Sequence, residues 1–443
     1  MTKQKKIKLG AFLPAPGHHV AAWRHPNAVP NGGQNFEYYL KITKLAEKGK
    51  FDMIFLSDGN GVRTHYKNAE ELSKQGRVVH FEPLTLMSAL ATHTKNIGLA
   101  ATASTTYNEP FHIARKFSSL DHLSKGRAAW NVVTSVTDAE AQNFNLKVQP
   151  EHAVRYKRAR EFMKVTRGLW DSWEEDAFLY DKESGQYFDS NKMHVLNHTD
   201  EFFSVKGPLN IARSPQGHPV IIQAGSSKDG IDFAAQWAEV VFTAQLNIKE
   251  AQEFYKDLKQ RAQKYGREAS EILIMPGLFP VVGETREQAN EKFEELQNLV
   301  DPIVGIGLLT GLLGDIDISH LSVDDKLPPL PETQGSISRQ QLLYKEALEK
   351  NMTIKELYLS VAGARGHKSI IGTPKDIADE IEYWFKNEAA DGFNIMPPYL
   401  PDGLDDFVTL VIPELQKRGL FRTEYEGATL RENLELRKPL FKK

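Results

Sequence analysis

The sequence predicts an α/β fold, a (β/α)8 TIM barrel with insertions, on three observations. Short and nearly continuous apolar runs recur along the 443 residues, as expected for parallel strands covered on both faces. The segments between these runs place apolar residues at helical spacing. Eight such units are found, whereas a doubly wound sheet usually has fewer strands.

The predicted elements alternate along the chain. We predict strands over 6–12, 52–57, 96–103, 127–134, 219–224, 239–244, 272–282 and 391–397. The clearest helix runs from Phe36 to Lys48 and ends at Gly49, a residue type that favours helix C-termini. Further helices are predicted over 232–239, 249–265 and 374–387.

The chain is longer than the roughly 250 residues that a barrel needs. We therefore predict a single TIM-barrel domain over 1–443, with insertions at about 140–215 and 284–370. The first holds a helical stretch and a polar, hairpin-like region; the second holds a charged helix and a Gly- and Pro-rich loop. Long loops within compact domains are usually functional, so we expect the second insertion to be an active-site lid.

The amino-acid composition indicates which kinds of partner the protein binds. Lys and Arg number 55 against 58 Asp and Glu, and no basic face is clustered, which argues against nucleic acid and for a small-molecule substrate. The absence of cysteine excludes disulfides and thiolate-metal sites. No apolar run is long enough for a membrane helix or a signal peptide, so we expect a cytoplasmic protein with no membrane partner.

Candidate site residues follow the predicted strands, where TIM barrels carry their sites. Gly225, Ser226 and Ser227 lie between a strand and a helix, an arrangement suited to a phosphate, although a serine that only caps its helix is the more frequent case. Asp58 follows the second strand and could accept hydrogen bonds from a heterocycle, or cap the next turn. Thr102 ends the third strand and would let a flat ring approach the backbone, but hydroxyl residues are also common on half-buried strands.

Histidines supply the acid–base candidates. His18 follows the first strand and is suited to general acid–base chemistry or to contact with an oxyanion. It is adjacent to His19, whereas metal-dependent barrel hydrolases typically carry His-x-His here, and no H-E-x-x-H occurs, so we expect no metal. His152 and Tyr156 share one helix face. The basic residues around them suit a phosphate, although spacing alone favours an ordinary solvated helix.

Several stretches, in order and over nearly the whole chain, resemble the bacterial-luciferase-like FMN-dependent monooxygenases. The resemblance is closest to the nitrilotriacetate, dibenzothiophene-sulfone and long-chain-alkane monooxygenase branch. It is weakest around 290–365. The stretches that carry it are 45–59, 104–135, 143–144, 152–162, 168–178, 207–230 and 411–433.

The resemblance implies a flavoprotein oxidoreductase, the oxygenase component of a two-component monooxygenase. Reduced FMN would diffuse from a separate NAD(P)H-dependent flavin reductase, and O2 would be the second substrate. The oxidised compound would be a small sulfur- or nitrogen-containing molecule, with C–S or C–N cleavage, and the enzyme a homodimer or homotetramer. The alternatives are a deazaflavin-dependent dehydrogenase of the same superfamily, a metal-dependent barrel hydrolase and a flavin-binding protein without catalysis.

The resemblance also implies roles for matched residues. His18 would lie near the flavin carbon that reacts with O2. The remaining matches concern the cofactor: Asp58 and Thr102 at the isoalloxazine or ribityl chain, Asn131 near the ring, His152 and Tyr156 at the flavin or its phosphate, and Ser226 and Ser227 at the phosphate.

Three features depart from the alkane-oxidising pattern. Those relatives carry a tyrosine where this chain has Arg63 and a histidine where it has Val136; they also have a cysteine near Pro14 or Ala15. An alkane substrate is therefore disfavoured. Arg63 at the barrel mouth points instead to an anionic substrate such as a carboxylate or sulfonate, unless it is an ordinary surface arginine.

Overall fold

The computed structural model describes residues 5–62, 69–225, 227–314, 316–331 and 337–441. The strands within these ranges are β1 (Lys8–Phe12), β2 (Met53–Leu56), β3 (Gly98–Ser104), β4 (Ala128–Val133), β5 (Phe178–Asp181), β6 (Gln186–Phe188), β7 (His198–Thr199), β8 (Ser204–Val205), β9 (Val220–Gln223), β10 (Val240–Thr243), β11 (Leu273–Val282), β12 (Lys368–Gly372) and β13 (Gly392–Ile395).

The α-helices alternate with these strands and fill the two insertions. They are α1 (Phe36–Lys48), α2 (Ala69–Ser73), α3 (Pro83–Ala91), α4 (Pro110–Ser124), α5 (Asp138–Gln142), α6 (His152–Trp170), α7 (Lys228–Trp237), α8 (Ile248–Lys264), α9 (Arg286–Asn298), α10 (Pro302–Leu312), α11 (Ile337–Glu349), α12 (Ile354–Val361), α13 (Pro374–Lys386), α14 (Asp402–Asp406), α15 (Ile412–Lys417) and α16 (Leu430–Asn433).

Eight parallel strands close into the predicted barrel. The order is β1-β2-β3-β4-β9-β10-β11-β13, and β13 pairs back with β1. Each of the eight predicted strands is confirmed, because every one coincides with a barrel strand. The predicted helices at 36–48, 249–265 and 374–387 agree with α1, α8 and α13 to within a residue. The helix predicted over 232–239 begins earlier, at Lys228, because Ser227 caps it by accepting a hydrogen bond from Gly230 N.

A ninth strand was not predicted. β12 pairs in parallel with the far half of β11, from Leu278 to Val282, so β11 continues beyond the barrel. Four of the five residues of β12 are half-buried or exposed. A strand with so little burial lacks the continuous apolar run by which the barrel strands were recognised.

The barrel is closed at one end and open at the other. Inward side chains of the strands pack against Leu430 of α16 and against Leu434, which follows that helix; both cover the end where the strands begin. Arg431 of the same helix is buried and makes two hydrogen bonds, of 2.5 and 3.0 Å, to the two carboxylate oxygens of Glu239. The end where the strands finish is the barrel mouth.

The two insertions pack differently. In the first, α6 lies against α4 and α7, as a barrel helix would, and the hairpins β5–β6 and β7–β8 follow it. In the second, α10 to α12 share an apolar cluster of their own, which Val20 and Ala21 of the loop after β1 join. No described helix combines the length and the apolar character needed to cross a membrane.

Candidate active site

A cavity of about 350 Å³ opens at the barrel mouth. Such a volume is in the range of small-molecule sites. Its floor includes Phe12, whose ring lies 4.7 Å from that of Phe55 and 5.8 Å from that of Phe242. The polar and charged residues that line it include His18, Asp58, Arg77, His80, Arg365 and His367.

His18 is held in one orientation in the cavity wall. It is buried, and its Nε2 lies 3.1 Å from the carbonyl oxygen of Phe12. A carbonyl can only accept, so Nε2 carries the proton and Nδ1 is left as an acceptor. Burial, and after it the charges of Arg77 and Arg365, hold the pKa of His18 well below its usual range. The neutral ring can therefore accept a hydrogen bond at Nδ1 but cannot donate one there to an oxyanion.

His19 belongs to a different environment. Its Nε2 lies 3.0 Å from the side-chain oxygen of Gln297 in α9, and burial lowers its pKa to about 4. The two adjacent imidazoles therefore contact different partners and do not converge on one point.

Asp58 lines the cavity at the end of β2. Its Oδ1 lies 3.8 Å from Nδ1 of His80, and burial raises the pKa of its carboxyl, against the charge of His80. The adjacent loop is tied to the loop after β4 by Glu140, which accepts hydrogen bonds from Asn60 N and Ser135 Oγ at 3.2 and 2.9 Å. Glu140 was not among the predicted site residues, although a glutamate three residues after Thr137 is the sequence signature of a capping box.

Thr102 and Asn131 form a chain of hydrogen bonds across neighbouring strands. Asn131 Nδ2 donates to Thr102 Oγ1 at 2.8 Å, and that hydroxyl donates to Leu56 O at 2.7 Å. Asn131 Oδ1 is buried and has no hydrogen-bonding partner among the described residues, and the same holds for Gln223 Oε1 at the end of β9. Buried polar atoms are nearly always paired. Two orphaned amide oxygens at the strand ends therefore fit a bound group with N–H or O–H donors.

A second cluster surrounds the start of α7. Ser227 Oγ accepts from Gly230 N at 3.1 Å and lies 3.4 Å from His152 Nε2. The other nitrogen of His152 lies 3.1 Å from a carboxylate oxygen of Asp229. The rings of His152 and Tyr156 are 4.8 Å apart, which confirms that they share a helix face. Ser227 thus does cap its helix, and the hydroxyl, the imidazole and the helix N-terminus converge as a phosphate site requires.

Two glycines make this cluster compact. A methyl group added to Gly225 would lie 2.3 Å from Gln223 Nε2 and 3.1 Å from the Tyr156 hydroxyl oxygen. One added to Gly230 would lie 2.9 Å from the same hydroxyl. The backbone therefore approaches Tyr156 more closely than any residue with a side chain would allow.

The basic residues of α6 are occupied elsewhere. Arg160 pairs with Asp232 at 3.1 Å, and Lys157 pairs with Glu201. Arg155 donates to Pro150 O at 2.9 Å, and Arg158 donates to Thr105 O. These contacts position α6 and its neighbouring loops.

One predicted residue is not part of either group. Val136 is 75% exposed and does not line the cavity. Arg63 and Ser226 lie outside the described residues. In the described chain, a group that could hold a metal ion is Glu161, His198 and Asp200. Glu161 there accepts hydrogen bonds from Phe202 N and Phe203 N, so it organises the β7–β8 hairpin away from the barrel mouth.

The chain matches the family model described as luciferase-like monooxygenase over residues 16–391. It is 53% identical, over 99% of this chain and 98% of the relative, to the N-acetyl-S-(2-succino)cysteine monooxygenase of Bacillus subtilis (strain 168). It is 48% identical, over 99% and 98%, to nitrilotriacetate monooxygenase component A of Aminobacter aminovorans. The crystal structure of DmoA from Hyphomicrobium sulfonivorans superposes with a TM-score of 0.89 at 33% identity, covering 97% of this chain and 92% of that one.

The protein therefore belongs to the luciferase-like monooxygenase family and has that family's TIM barrel, as the sequence predicted. It is a monooxygenase of the flavin-dependent branch that includes nitrilotriacetate and dibenzothiophene-sulfone monooxygenases.

Proposed function

We propose that the protein is the oxygenase component of a two-component system that uses reduced FMN and O2 to oxidise a small sulfur- or nitrogen-containing compound. The observation that carries the proposal is the line of groups across the ends of β2, β3, β4 and β9. It runs from the cavity, through Thr102 and Asn131, to the cluster at the start of α7. An elongated ligand with a flat head and a phosphate tail matches that order of groups.

The residues fit FMN in a specific way. Ser227, His152 and Tyr156, with the N-terminus of α7, would hold the phosphate, since a helix N-terminus favours negative charge. Asn131 Oδ1 and Gln223 Oε1 would accept hydrogen bonds from ring or ribityl donors. Asp58 would lie beside the ring at the cavity edge. Ser226 remains a predicted phosphate contact and Arg63 a predicted substrate contact.

Bound reduced FMN supplies the two electrons with which O2 is divided, one oxygen atom entering the substrate and the other leaving as water. The phenylalanine floor of the cavity excludes water from below, which protects the reaction from wasteful release of H2O2. His18, in the cavity wall, would offer its unprotonated Nδ1 as a hydrogen-bond acceptor. Hydroxylation of the carbon beside a thioether sulfur would release a thiol and a carbonyl compound, which is C–S cleavage; a C–N bond would break in the same way.

The relative that acts on N-acetyl-S-(2-succino)cysteine supports testing that thioether first. We expect oxidation of the compound with consumption of O2, coupled to reduced FMN supplied by a separate NAD(P)H-dependent reductase. A deazaflavin-dependent dehydrogenase would instead transfer hydride without O2. Oxygen uptake that never yields an oxidised product from any thioether or amine would contradict the proposal.

The phosphate site is tested by anaerobic titration with reduced FMN. Tyr156→Phe and Ser227→Ala each remove one hydrogen bond to a charged group and should raise the Kd about tenfold. Tyr187→Phe, on the exposed β5–β6 hairpin, is the matched control and should bind like the wild type. Unchanged affinity in both site variants would place the phosphate elsewhere.

A further inference from the structure

The loop between β1 and α1 carries His18 and lies against the second insertion. Val20 N donates a hydrogen bond of 2.9 Å to the carbonyl oxygen of Ala362, the residue that follows α12. Val20 and Ala21 are both buried, and they belong to the apolar cluster that α10 to α12 share. The insertion therefore contacts this loop only two residues after His18.

A bridge of side chains joins the same two parts of the molecule. Gln297 Nε2, in α9, donates to the carbonyl oxygen of Leu359, in α12, at 3.1 Å. A carbonyl oxygen only accepts, so the amide nitrogen of Gln297 faces Leu359 and its amide oxygen faces His19. That oxygen accepts from His19 Nε2 at 3.0 Å, and His19 Nδ1 accepts from Ala21 N at 3.3 Å. Every hydrogen bond of the bridge thus has an assigned donor.

Burial makes the bridge sensitive to the loss of either member. His19 is 1% exposed, and burial lowers its pKa to about 4, so its ring is neutral at pH 7 and keeps the proton on Nε2. Close by in the chain, Ala22 packs with Leu296 of α9, and both are fully buried. A buried polar group that loses its partner costs more than the hydrogen bond itself, because water does not replace that partner.

The bridge connects two parts of the cavity wall. His18 lines the barrel-mouth cavity directly before His19, and Arg365 and His367 line it from the turn between α12 and β12. Groups that reach one cavity from separate segments keep their relative positions only when those segments are joined. A shift of about 1 Å at a reacting centre can lower a rate about a hundredfold. The bridge therefore lies where it can keep the cavity wall in a single arrangement.

We propose that His19 and Gln297 are positioning residues that hold the His18 loop against the second insertion and so keep water out of the cavity during the reaction with O2. The inference rests on the proposed function, because reduced FMN must bind for the cavity to carry out that reaction. Both residues act through the loop, and neither contacts flavin or substrate. The competing assignment is that the bridge only stabilises the fold, which predicts easier unfolding with unchanged chemistry.

Hydrogen–deuterium exchange of the flavin-free protein tests whether the bridge holds the loop. Gln297→Met keeps the length of the side chain and removes both of its hydrogen bonds. The amide of Val20, which donates across the junction, should exchange about fivefold faster, the factor that corresponds to one neutral hydrogen bond. Gln252→Met is the matched control, since Gln252 also donates to a backbone carbonyl, that of Asn387, but lies outside the site. Unchanged exchange at Val20 in Gln297→Met would overturn the proposal.

Oxidation of bound reduced FMN separates positioning from stability. The flavin complex is mixed with O2 in the absence of substrate, and the release of H2O2 is followed. Gln297→Met and His19→Phe should each release H2O2 about fivefold faster than the wild type, because water enters in proportion to the opening of the loop, while the Kd for reduced FMN stays unchanged. The double variant should be no faster than either single variant, since both substitutions break the same bridge.

A conservative variant and the wild type complete the test. His19→Gln keeps a donor toward Gln297 and should restore the slow release of H2O2. If both single variants unfold more easily but release H2O2 at the rate of the wild type, the bridge is only structural and the proposal is wrong. If the wild type does not bind reduced FMN, the proposed function itself fails, whereas the exchange result at Val20 still reports on the bridge.

Discussion

Gly230→Ala tests whether the cluster at the start of α7 is a binding site or only a helix terminus. Gly230 lies in the first turn of α7, and a methyl group there would be 2.9 Å from the Tyr156 hydroxyl oxygen and 3.1 Å from both Ser227 Oγ and Gly225 Cα. Contacts below about 3.4 Å require the neighbours to move. Tyr156 is itself packed against Phe233 at 5.9 Å between ring centroids, so its freedom to move is small.

Two effects oppose each other in this variant. Helix propensity alone favours alanine over glycine by up to about 1 kcal/mol. Overpacking at a crowded position costs about 1 to 3 kcal/mol. Because the methyl would meet three groups, one of them backbone, we expect overpacking to dominate and the free energy of unfolding to fall by about 1 kcal/mol. Displacing the Tyr156 hydroxyl should also raise the Kd for reduced FMN by about tenfold, the loss of one hydrogen bond to a charged group.

The assay pairs urea unfolding with anaerobic titration of reduced FMN. Gly311→Ala is the matched control, since a methyl there would have nothing within 4 Å and α10 lies outside the site. That control should be neutral or slightly stabilised and should bind the flavin normally. If Gly230→Ala were stabilised to the same extent with unchanged affinity, the close approach to Tyr156 would have no role in binding.

Two further predictions concern stability. Arg431→Met leaves Glu239 buried without its guanidinium and should cost about 3 to 5 kcal/mol in urea unfolding. Burial raises the pKa of Glu239, but the charge and hydrogen bonds of Arg431 outweigh it and lower the pKa. This stabilisation is therefore present above about pH 4.3 and is lost as the pH falls below that value. If the free energy of unfolding of Arg431→Met fell with pH as steeply as that of the wild type, the reasoning would be contradicted. His19 has a folded pKa of about 4, lowered by burial, so the unfolded chain binds more protons between about pH 6.5 and 4. As the pH falls through that window, His19 should lower the free energy of unfolding by about 3 kcal/mol. His19→Gln should make the free energy of unfolding depend less steeply on pH, as measured by thermal unfolding at a series of pH values.

The barrel was predictable because its strands carry a local signal. A strand covered on both faces must be apolar at nearly every position, as in β3 and β9, and that pattern is read without knowing the partners. β12 lacks such burial and was missed. The start of α7 was missed by four residues because the capping role of Ser227 was left open against a ligand-binding role.

The site was predictable only in part. The positions of His152, Tyr156 and Ser227 were inferred from the resemblance, and their convergence is a fact of packing between α6 and α7. Gln223, Glu140, Arg77 and Arg365 were not singled out, because a glutamine at the end of a strand or an arginine in a loop has no periodicity to mark it. Arg63, which suggested an anionic substrate, lies outside the described residues.

The sequence by itself determined the barrel, its strand order in the chain and the family, because apolar runs and motif order are properties of neighbouring residues. Only the tertiary structure decided the protonation of the side chains at the barrel mouth. The hydrogen bond from His18 Nε2 to Phe12 O assigns the proton of that ring, and burial together with the charges of Arg77 and Arg365 lowers its pKa. Arg77 and Arg365 are far from His18 in the chain, and electrostatic interactions depend on distance through space and not along the sequence.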